Sequence, residues 1–260
     1  VEICGMMEQV QEAGVHSGDS ACVLPPATLS QEIQAQLEDQ TRKIAFELKV
    51  LGLINIQFAI ENGVVQILEV NPRASRTVPF ASKAKGIPYA KIAMKVMLGR
   101  KLKEFNLPKQ PLTLSYVKES VFPFKKFSGT DIILGPEMRS TGEVMGVGKT
   151  FSEAFGKATL ASGFPLPKEG IVFISVRDND KEEIAGVAKT LKDAGFEICA
   201  THGTADYIRK KGIEVREVNK VNEGRPHIVD LIKHGEVHVV INTAALGVHE
   251  VGAAFELRRT

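Results

Sequence analysis

The sequence predicts an α/β protein built from two regions of different texture. Two runs of alternating apolar and polar residues, 54–60 and 64–70, flank Asn62-Gly63 and predict an antiparallel hairpin in the first region. From about residue 164, strand patterns alternate with helix patterns, which predicts a parallel sheet with helices on both faces. With 260 residues, the chain is long enough for two domains of ordinary size.

The first region begins with a predicted strand at residues 2–9 and a polar loop that ends at Pro25-Pro26. Ser30 is a suitable N-cap for the helix that follows. The apolar residues of that helix keep helical spacing until Gly52 ends the pattern. The hairpin comes next.

After the hairpin, residues 79–102 predict helix, broken at 86–88 by a Gly-Ile-Pro sequence and closed by Gly99. Between residues 103 and 163 the pattern loosens into short strands and Pro- and Gly-rich connections, so this segment is predicted to be connecting structure. Residues 142–149 hold three glycines and a lysine, but they lack the spacing of a phosphate-binding loop. We therefore interpret them as structural.

The second region predicts a regular succession of elements. Strands are predicted at 171–176, 196–200, 214–218 and 237–241, and helices at 181–194, 205–210 and 227–234. The expected domain boundaries are therefore 1–102, a connecting segment at 103–163 that completes the first region, and 164–260.

Composition argues against several classes of protein. The 33 basic and 31 acidic residues nearly cancel and the basic ones are dispersed, so no nucleic-acid surface is expected. Three cysteines at wide spacings argue against a disulfide framework or zinc site and for a reducing compartment. No apolar run approaches the roughly 20 residues that a membrane helix needs. Because the chain starts at Val1 without an initiator Met, we expect it to be part of a longer polypeptide.

The faces of the hairpin depend on its turn. A two-residue turn at positions 62–63 would place Gln57 and Glu69 on opposite faces. A three-residue turn at 61–63, or an equivalent bulge, would put both on one face, with Asn55 opposite Glu69. The apolar side chains would then share the other face and pack on the core. We predict the three-residue turn or the bulge.

Oxygen-bearing side chains on that shared face would suit a cation. Gln57, Glu69 and Asn71 supply the hard oxygen ligands that Mg²⁺ or Mn²⁺ prefers in nucleotide sites. Arg73 and Arg76 follow closely and can neutralise phosphate charge. The alternative is an exposed strand carboxylate beside two surface arginines.

Three motifs together carry a family resemblance. The order Gln57 followed by residues 69–73 (EVNPR) resembles the metal motif of ATP-grasp ligases. Residues 14–21 (GVHSGDSA) and 134–146 (LGPEMRSTGEVMG) narrow the resemblance to the family of carbamoyl-phosphate synthetase large subunits, in its C-terminal part. The resemblance implies the C-terminal portion of an ATP-grasp domain, followed from about residue 164 by a Rossmann-like, methylglyoxal-synthase-like regulatory domain.

The resemblance also implies roles for particular residues in the half of the enzyme that phosphorylates carbamate. It assigns ATP binding to Gly14, Val15, His16, Ser17, Gln57 and Glu69, metal binding to Gln57, Glu69 and Asn71, and the reacting phosphate to Arg73 and Arg76. The implied cofactors are ATP and Mg²⁺ or Mn²⁺.

In the second region, residues 201–204 (THGT) lie between a predicted strand and a predicted helix, where a parallel sheet presents amides and hydroxyls to a phosphate. Helix capping by the threonines is the alternative. The resemblance implies a nucleotide monophosphate effector, bound by Lys181, Thr201, Thr204, Lys220 and Asn242.

Two features complicate the expected regulation. Relatives that bind uridine monophosphate tend to carry threonines after the Asn, whereas here residues 244–246 are Ala-Ala-Leu, so the effector is left open. Asp19 and Glu119 match positions that hold the activator ornithine in relatives. A third acid of that site is replaced by Gln11.

The resemblance implies a cytoplasmic enzyme that makes carbamoyl phosphate from bicarbonate, glutamine-derived ammonia and two ATP. Its partners would be a glutamine amidotransferase small subunit and the remainder of the large subunit, and homo-oligomerisation is left open. The 260 residues alone are expected to be inactive. The alternatives are an isolated effector-binding module, another ATP-grasp ligase, or a free methylglyoxal synthase.

Overall fold

A computed structural model describes residues 1–108, 111–124, 132–164 and 166–243. The chain divides into two compact units, the first comprising Val1–Pro123 and Leu134–Pro165 and the second Phe124–Ile133 and Leu166–Thr260. Residues 244–246, on which the identity of the effector was expected to depend, lie outside the described residues. Among the described residues, no helix combines the length and the hydropathy that a membrane span requires.

The first unit mixes short strands with helices. In chain order its elements are β1 (Glu8–Gln9), β2 (Cys22–Leu24), α1 (Gln31–Glu47), β3 (Asn55–Glu61), β4 (Val64–Asn71), α2 (Thr77–Lys85), α3 (Tyr89–Met97), a 3-10 helix (Leu102–Phe105), β5 (Ser115–Val121), β6 (Gly142–Gly148) and α4 (Phe151–Ala161).

An antiparallel sheet in the order β1-β2-β5-β6 forms the centre of this unit. One face packs on α4 through Val23 and Val117, and the other carries Leu24 against α2 and α3. A Cβ on Gly146 would lie 2.0 Å from the Ala154 carbonyl oxygen. Because only glycine allows this close approach of helix and strand, the structural interpretation of the glycine-rich segment is confirmed.

Several local predictions need correction. The strand predicted at 2–9 is reduced to Glu8–Gln9, and β2 was missed because three residues are too short to show alternation. The first helix ends at Glu47, before Gly52, because Lys49 adopts a left-handed φ of 50°. Helix α4 was also missed, although Thr150 Oγ1 caps it by accepting the Glu153 amide.

The second unit follows the predicted alternation closely. Its elements are β7 (Ile171–Ser175), a 3-10 helix (Asp178–Asp180), α5 (Lys181–Asp193), β8 (Glu197–Ala200), α6 (His202–Lys210), β9 (Arg216–Glu217), α7 (Ile228–Lys233) and β10 (Val237–Asn242). All strands pair in parallel, in the order β10-β7-β8-β9.

Alternate residues of these strands enter two different cores. Ile174 and Ile198 pack with residues of α5 and α6, whereas Phe173 and Cys199 pack with residues of α7. The sheet is therefore covered on both faces, as predicted, and its strands end together at one edge.

Candidate nucleotide, metal and effector sites

The hairpin of β3 and β4 reaches its register through a bulge. Its turn is the two-residue Asn62-Gly63, with φ values of 50° and 79°, so the predicted three-residue turn is wrong. The register then shifts between Gln57 and Phe58, and beyond the shift Gln57 lies opposite Glu69. The bulge therefore places Gln57 and Glu69 on one face. The predicted pairing of Asn55 with Glu69 is wrong, because Asn55 pairs with Asn71.

Three polar side chains meet on that face. Gln57 Nε2 donates to Glu69 Oε1 at 2.5 Å, and Asn71 Nδ2 donates to the same oxygen at 2.8 Å. Glu69 is exposed, and both amides are partly buried. Because an amide can turn to present its oxygen in place of its NH₂ group, this arrangement can also offer oxygens to a cation.

The apolar side of the hairpin was predicted to pack on the core, and this prediction is wrong. Ile60, Ile67 and Leu68 are 38%, 49% and 50% exposed. A two-stranded sheet has too little apolar surface to bury itself. Part of the hairpin instead borders a cavity of about 540 Å³, together with the first residues of the chain, α1 and α3.

The predicted nucleotide loop borders the same cavity only in part. Gly14, Val15 and Ser17 line it together with Gln57. His16 forms two hydrogen bonds within the protein: its Nδ1 accepts the Gly18 amide at 3.0 Å, and its own amide donates to the Gly135 carbonyl at 2.8 Å.

A buried polar network, which sequence reasoning missed, holds this loop. The Gly18 carbonyl accepts from Ser120 Oγ at 2.7 Å and from Ser140 Oγ at 3.0 Å, and the Ser17 carbonyl accepts from Lys118 Nζ at 3.1 Å. Lys118 is 1% exposed. Alternation along β5 places Lys118 and Ser120 on one face, a signal that could have been found.

The two arginines differ in their surroundings. Arg76 precedes α2, and its Nη1 donates to Ser140 Oγ at 2.9 Å and lies 4.0 Å from Glu143 Oε1. Arg73 is exposed and donates to the neighbouring Ala74 carbonyl at 3.0 Å. The structure therefore brings Arg76, but not Arg73, into contact with the network that holds the loop.

The two acids expected to bind ornithine are also unlike each other. Asp19 is fully buried and accepts the Ser140 and Arg139 amides at 2.9 and 2.7 Å. Burial by itself raises the pKa of Asp19, but hydrogen bonding by Ser140, through its side chain and its amide, and by the Arg139 amide brings the pKa below its ordinary value. Glu119 has a buried Oε2 without a hydrogen-bond partner among the described residues, and burial raises its pKa.

In the second unit, hydroxyls gather where the strands end. Ser175 Oγ and Thr201 Oγ1 are 3.1 Å apart, Thr204 Oγ1 accepts the Val176 amide at 3.3 Å, and Thr243 Oγ1 accepts the Arg177 amide at 2.9 Å. Thr201 occupies the N-cap position of α6, but its side chain makes no capping hydrogen bond. Asn242 ends β10 opposite Ser175.

Positive charge lies beside this edge. Lys181 begins α5, and its Nζ would be 3.3 Å from a Cβ placed on Gly203. The same Nζ binds Asp178 at 2.7 Å, which lowers the pKa of that carboxyl, and the charge of Lys220 contributes in the same direction. The five predicted effector residues thus lie along one edge of the sheet, with Lys181 close to residues 201–204.

A further cluster was not predicted. His202 Nδ1 lies 2.7 Å from Glu217 Oε1, and Arg209 binds Glu217 and Asp206 at 3.0 and 3.2 Å. The hydrogen bond with Glu217 raises the pKa of His202 and lowers that of Glu217. This cluster at the protein surface connects α6 to β9, and Arg209 offsets one of its two carboxylate charges.

Comparisons with known proteins match both units. Residues 1–105 match the model of the carbamoyl-phosphate synthase L chain, ATP binding domain, and residues 183–260 match that of the MGS-like domain. Over 261 residues the chain is 54% identical to the carbamoyl phosphate synthase large chain of Pasteurella multocida and 52% identical to that of Neisseria meningitidis. Over 260 residues it is 53% identical to that of Pseudomonas putida.

These alignments cover the whole chain but only 24% of each relative, so the chain spans about a quarter of their length. Among solved structures, the biotin carboxylase domain of a single-chain bacterial carboxylase matches with a TM-score of 0.41 and 14% identity, over 65% of this chain and 39% of that one. A likeness at that score supports no conclusion about fold or function.

Proposed function

The chain belongs to the family of carbamoyl phosphate synthase large chains, and on this premise we propose that its first unit forms the metal and nucleotide wall of a carbamate-phosphorylating site. The complete enzyme would make carbamoyl phosphate from bicarbonate, glutamine-derived ammonia and two ATP. The observation that carries the proposal is the bulged hairpin, which gathers Gln57, Glu69 and Asn71 on one face around a single carboxylate oxygen.

The donor set fits the divalent cation that such a reaction uses. One carboxylate and two amides offer hard oxygens, and few protein ligands are needed because Mg²⁺ and Mn²⁺ keep waters and bind phosphates as well. When bound, the cation would neutralise charge on the transferring phosphoryl group. The residues of this chain would hold nucleotide and cation in place, with Gly14, Val15 and Ser17 bordering the cavity next to Gln57.

We assign the reacting phosphate chiefly to Arg76. Its contacts with Ser140 and Glu143 hold the guanidinium in one position, and a fixed cation stabilises developing phosphate charge without a reorganisation cost. Arg73 stays a candidate for the same role, from a more exposed position.

We also propose that the second unit binds a nucleotide monophosphate effector through its phosphate. The N-terminus of α6, Lys181 beside Gly203, and the hydroxyl-rich strand ends support this, with Lys220 and Asn242 as further contacts. In the first unit, Glu119 has a carboxylate oxygen that no described residue hydrogen-bonds, and this oxygen would bind the ammonium of an activator such as ornithine. Asp19 would support that site indirectly, since both its oxygens accept backbone amides.

The remaining assignments follow from the family. The partners would be the rest of the large chain and a glutamine amidotransferase small subunit, in a cytoplasmic enzyme of pyrimidine and arginine biosynthesis. For the 260 residues alone, effector binding without catalysis is the second candidate function, because the effector residues are supported within one unit. Another ATP-grasp ligase or a free methylglyoxal synthase would not account for relatives aligned over the whole chain.

The test compares two carboxylates of the same hairpin in the complete large chain. Glu69→Gln should lower carbamoyl phosphate synthesis at least about a hundredfold, because a metal ligand and its charge are lost. Glu61→Gln, at the exposed end of β3, is the matched control and should leave the rate nearly unchanged. Equal rates for both variants would refute the proposed metal site.

A further inference from the structure

Ser140 is a buried residue of the first unit that contacts two parts of the proposed site. It is 5% exposed and lies just before β6. The amide of the residue before it, Arg139, donates to Asp19. Its hydroxyl contacts Arg76, 64 positions away in sequence, and Gly18, 122 positions away.

The hydrogen bonds of Ser140 have a fixed direction. A serine hydroxyl has one proton to donate and lone pairs to accept with. The Gly18 carbonyl can only accept, so Ser140 Oγ donates to it at 3.0 Å and accepts from Arg76 Nη1 at 2.9 Å. The Ser140 amide donates to Asp19 Oδ1 at 2.9 Å, which holds the serine backbone from the other side.

From this geometry we propose that Ser140 is a positioning residue, which fixes the Arg76 guanidinium relative to the nucleotide loop at residues 14–20. The inference rests on the proposed function of Arg76 and adds a group that touches neither nucleotide nor phosphate. A buried hydroxyl bonded to both parts transmits the position of the loop to the arginine. A displacement of about 1 Å at a reacting group is enough to slow catalysis strongly.

Glu143 alone does not account for the placement of Arg76. Its Oε1 lies 4.0 Å from Arg76 Nη1 and has no hydrogen-bond partner among the described residues. An ion pair at that distance attracts the guanidinium but does not orient it, whereas the 2.9 Å hydrogen bond to Ser140 does.

Ser120 provides a matched control. It is 1% exposed and donates to the same Gly18 carbonyl, at 2.7 Å, and among the described residues its hydroxyl forms no hydrogen bond with Arg76. Ser120→Ala therefore removes a buried hydroxyl and one bond to this carbonyl. Ser140→Ala removes the other bond to the carbonyl, the side-chain interaction with Asp19 and the bond to Arg76.

The experiment measures ATP formation from ADP and carbamoyl phosphate by the complete large chain, in Ser140→Ala, Ser120→Ala, Arg76→Ala and the double variant of Ser140 and Arg76. Ser140→Ala should lower kcat about ten- to a hundredfold, the range expected for one hydrogen bond to a charged group, with the KM for ADP nearly unchanged. Ser120→Ala should stay within about threefold of the parent. Ser140→Thr, which keeps the hydroxyl, should restore most of the rate.

The double variant separates positioning from general damage. If Ser140 acts through Arg76, Ser140→Ala adds little loss once Arg76 is alanine, whereas independent losses would multiply and overturn the inference. Equal rates for Ser140→Ala and Ser120→Ala would also overturn it. Full activity of Arg76→Ala would contradict the proposed function itself. If Ser140→Ala fails to fold, Ser140→Cys keeps the volume, and the same predictions apply to it.

Discussion

The hairpin of the first unit and the sheet edge of the second both display polar side chains near strand ends, but the chain supports them differently. At the sheet edge, Thr201 and Thr204 are 3% and 2% exposed, and their hydroxyls bond to Ser175 and Val176 at the end of β7. On the hairpin, no residue of β3 or β4 is buried, and the polar side chains bond mainly to one another.

This difference separates a site that its own unit preorganises from one that needs further structure. The parallel sheet has helices on both faces, so its strand ends are held by two cores. The hairpin has two strands and partly exposed apolar residues, and about three quarters of its relatives' length lies outside this chain. We therefore expect effector binding to survive in the isolated chain and catalysis to require the complete enzyme.

The largest expected effect concerns the stability of the first unit. Gly146→Ala places a Cβ against the backbone of α4 and should cost at least about 3 kcal/mol, the upper end of overpacking losses. The control is Gly186→Ala in the exposed part of α5, where a Cβ meets nothing within 4 Å and should stabilise the second unit by about 0.5–1 kcal/mol. Chemical denaturation of both variants is the measurement. Similar stabilities would contradict the packing described for α4.

The second effect tests the sheet edge as an anion site. Lys181→Ala should weaken binding of a nucleotide monophosphate about ten- to a hundredfold, because a charge-assisted hydrogen bond to phosphate is lost. Lys189→Ala, further along the same helix, should change the affinity little. Calorimetric titration compares the affinities of the two variants, and equal affinities would contradict a phosphate site at Lys181.

A smaller effect should come from Asp178, whose carboxylate binds the Lys181 ammonium at 2.7 Å and would compete with a phosphate for it. Asp178→Asn should therefore tighten effector binding about two- to fivefold, in keeping with a solvent-exposed ion pair. The control is Asp193→Asn at the far end of α5. Weaker binding by the Asp178 variant would show instead that the carboxylate contributes to the site.

The smallest effect is a pH dependence of the second unit. The pKa of His202 is raised in the folded state by Glu217, so its stabilising contribution is full below the unfolded value of about 6.5 and is lost as the pH rises through the folded value. The unfolding midpoint of this unit should therefore decrease slightly as the pH rises from about 6.5 through the folded pKa of His202. His202→Gln should remove this part of the fall and His234→Gln should not, as measured by calorimetry at several pH values.

Most of the second unit could be predicted from sequence because β7 is a continuous apolar run and because strand and helix patterns alternate regularly after it. The first unit was harder. β2 is too short to show a period, and α4 combines small residues with Gly156 in its middle, which weakens a helical pattern. The polar faces of the hairpin required a register shift, but alternation alone could not distinguish a longer turn from the bulge that the structure has.

The candidate sites divide in the same way. The effector residues follow strand ends, a position that a sequence pattern reveals. The contacts of Ser140 with Gly18 and Arg76 join segments far apart in the chain, and no local pattern encodes them. Neither the hydrogen bond of the His16 amide to the Gly135 carbonyl nor the exposure of Arg73 could be predicted, because both depend on tertiary packing.

The most direct test of this account is a thermal-shift titration of the 260-residue chain with uridine and inosine monophosphates. Binding to the folded state raises the unfolding midpoint with ligand concentration. We predict such a rise for at least one of the two nucleotides, and its loss in Thr201→Ala. A midpoint unmoved by both nucleotides, or a rise that Thr201→Ala retains, would contradict a complete effector site within this chain.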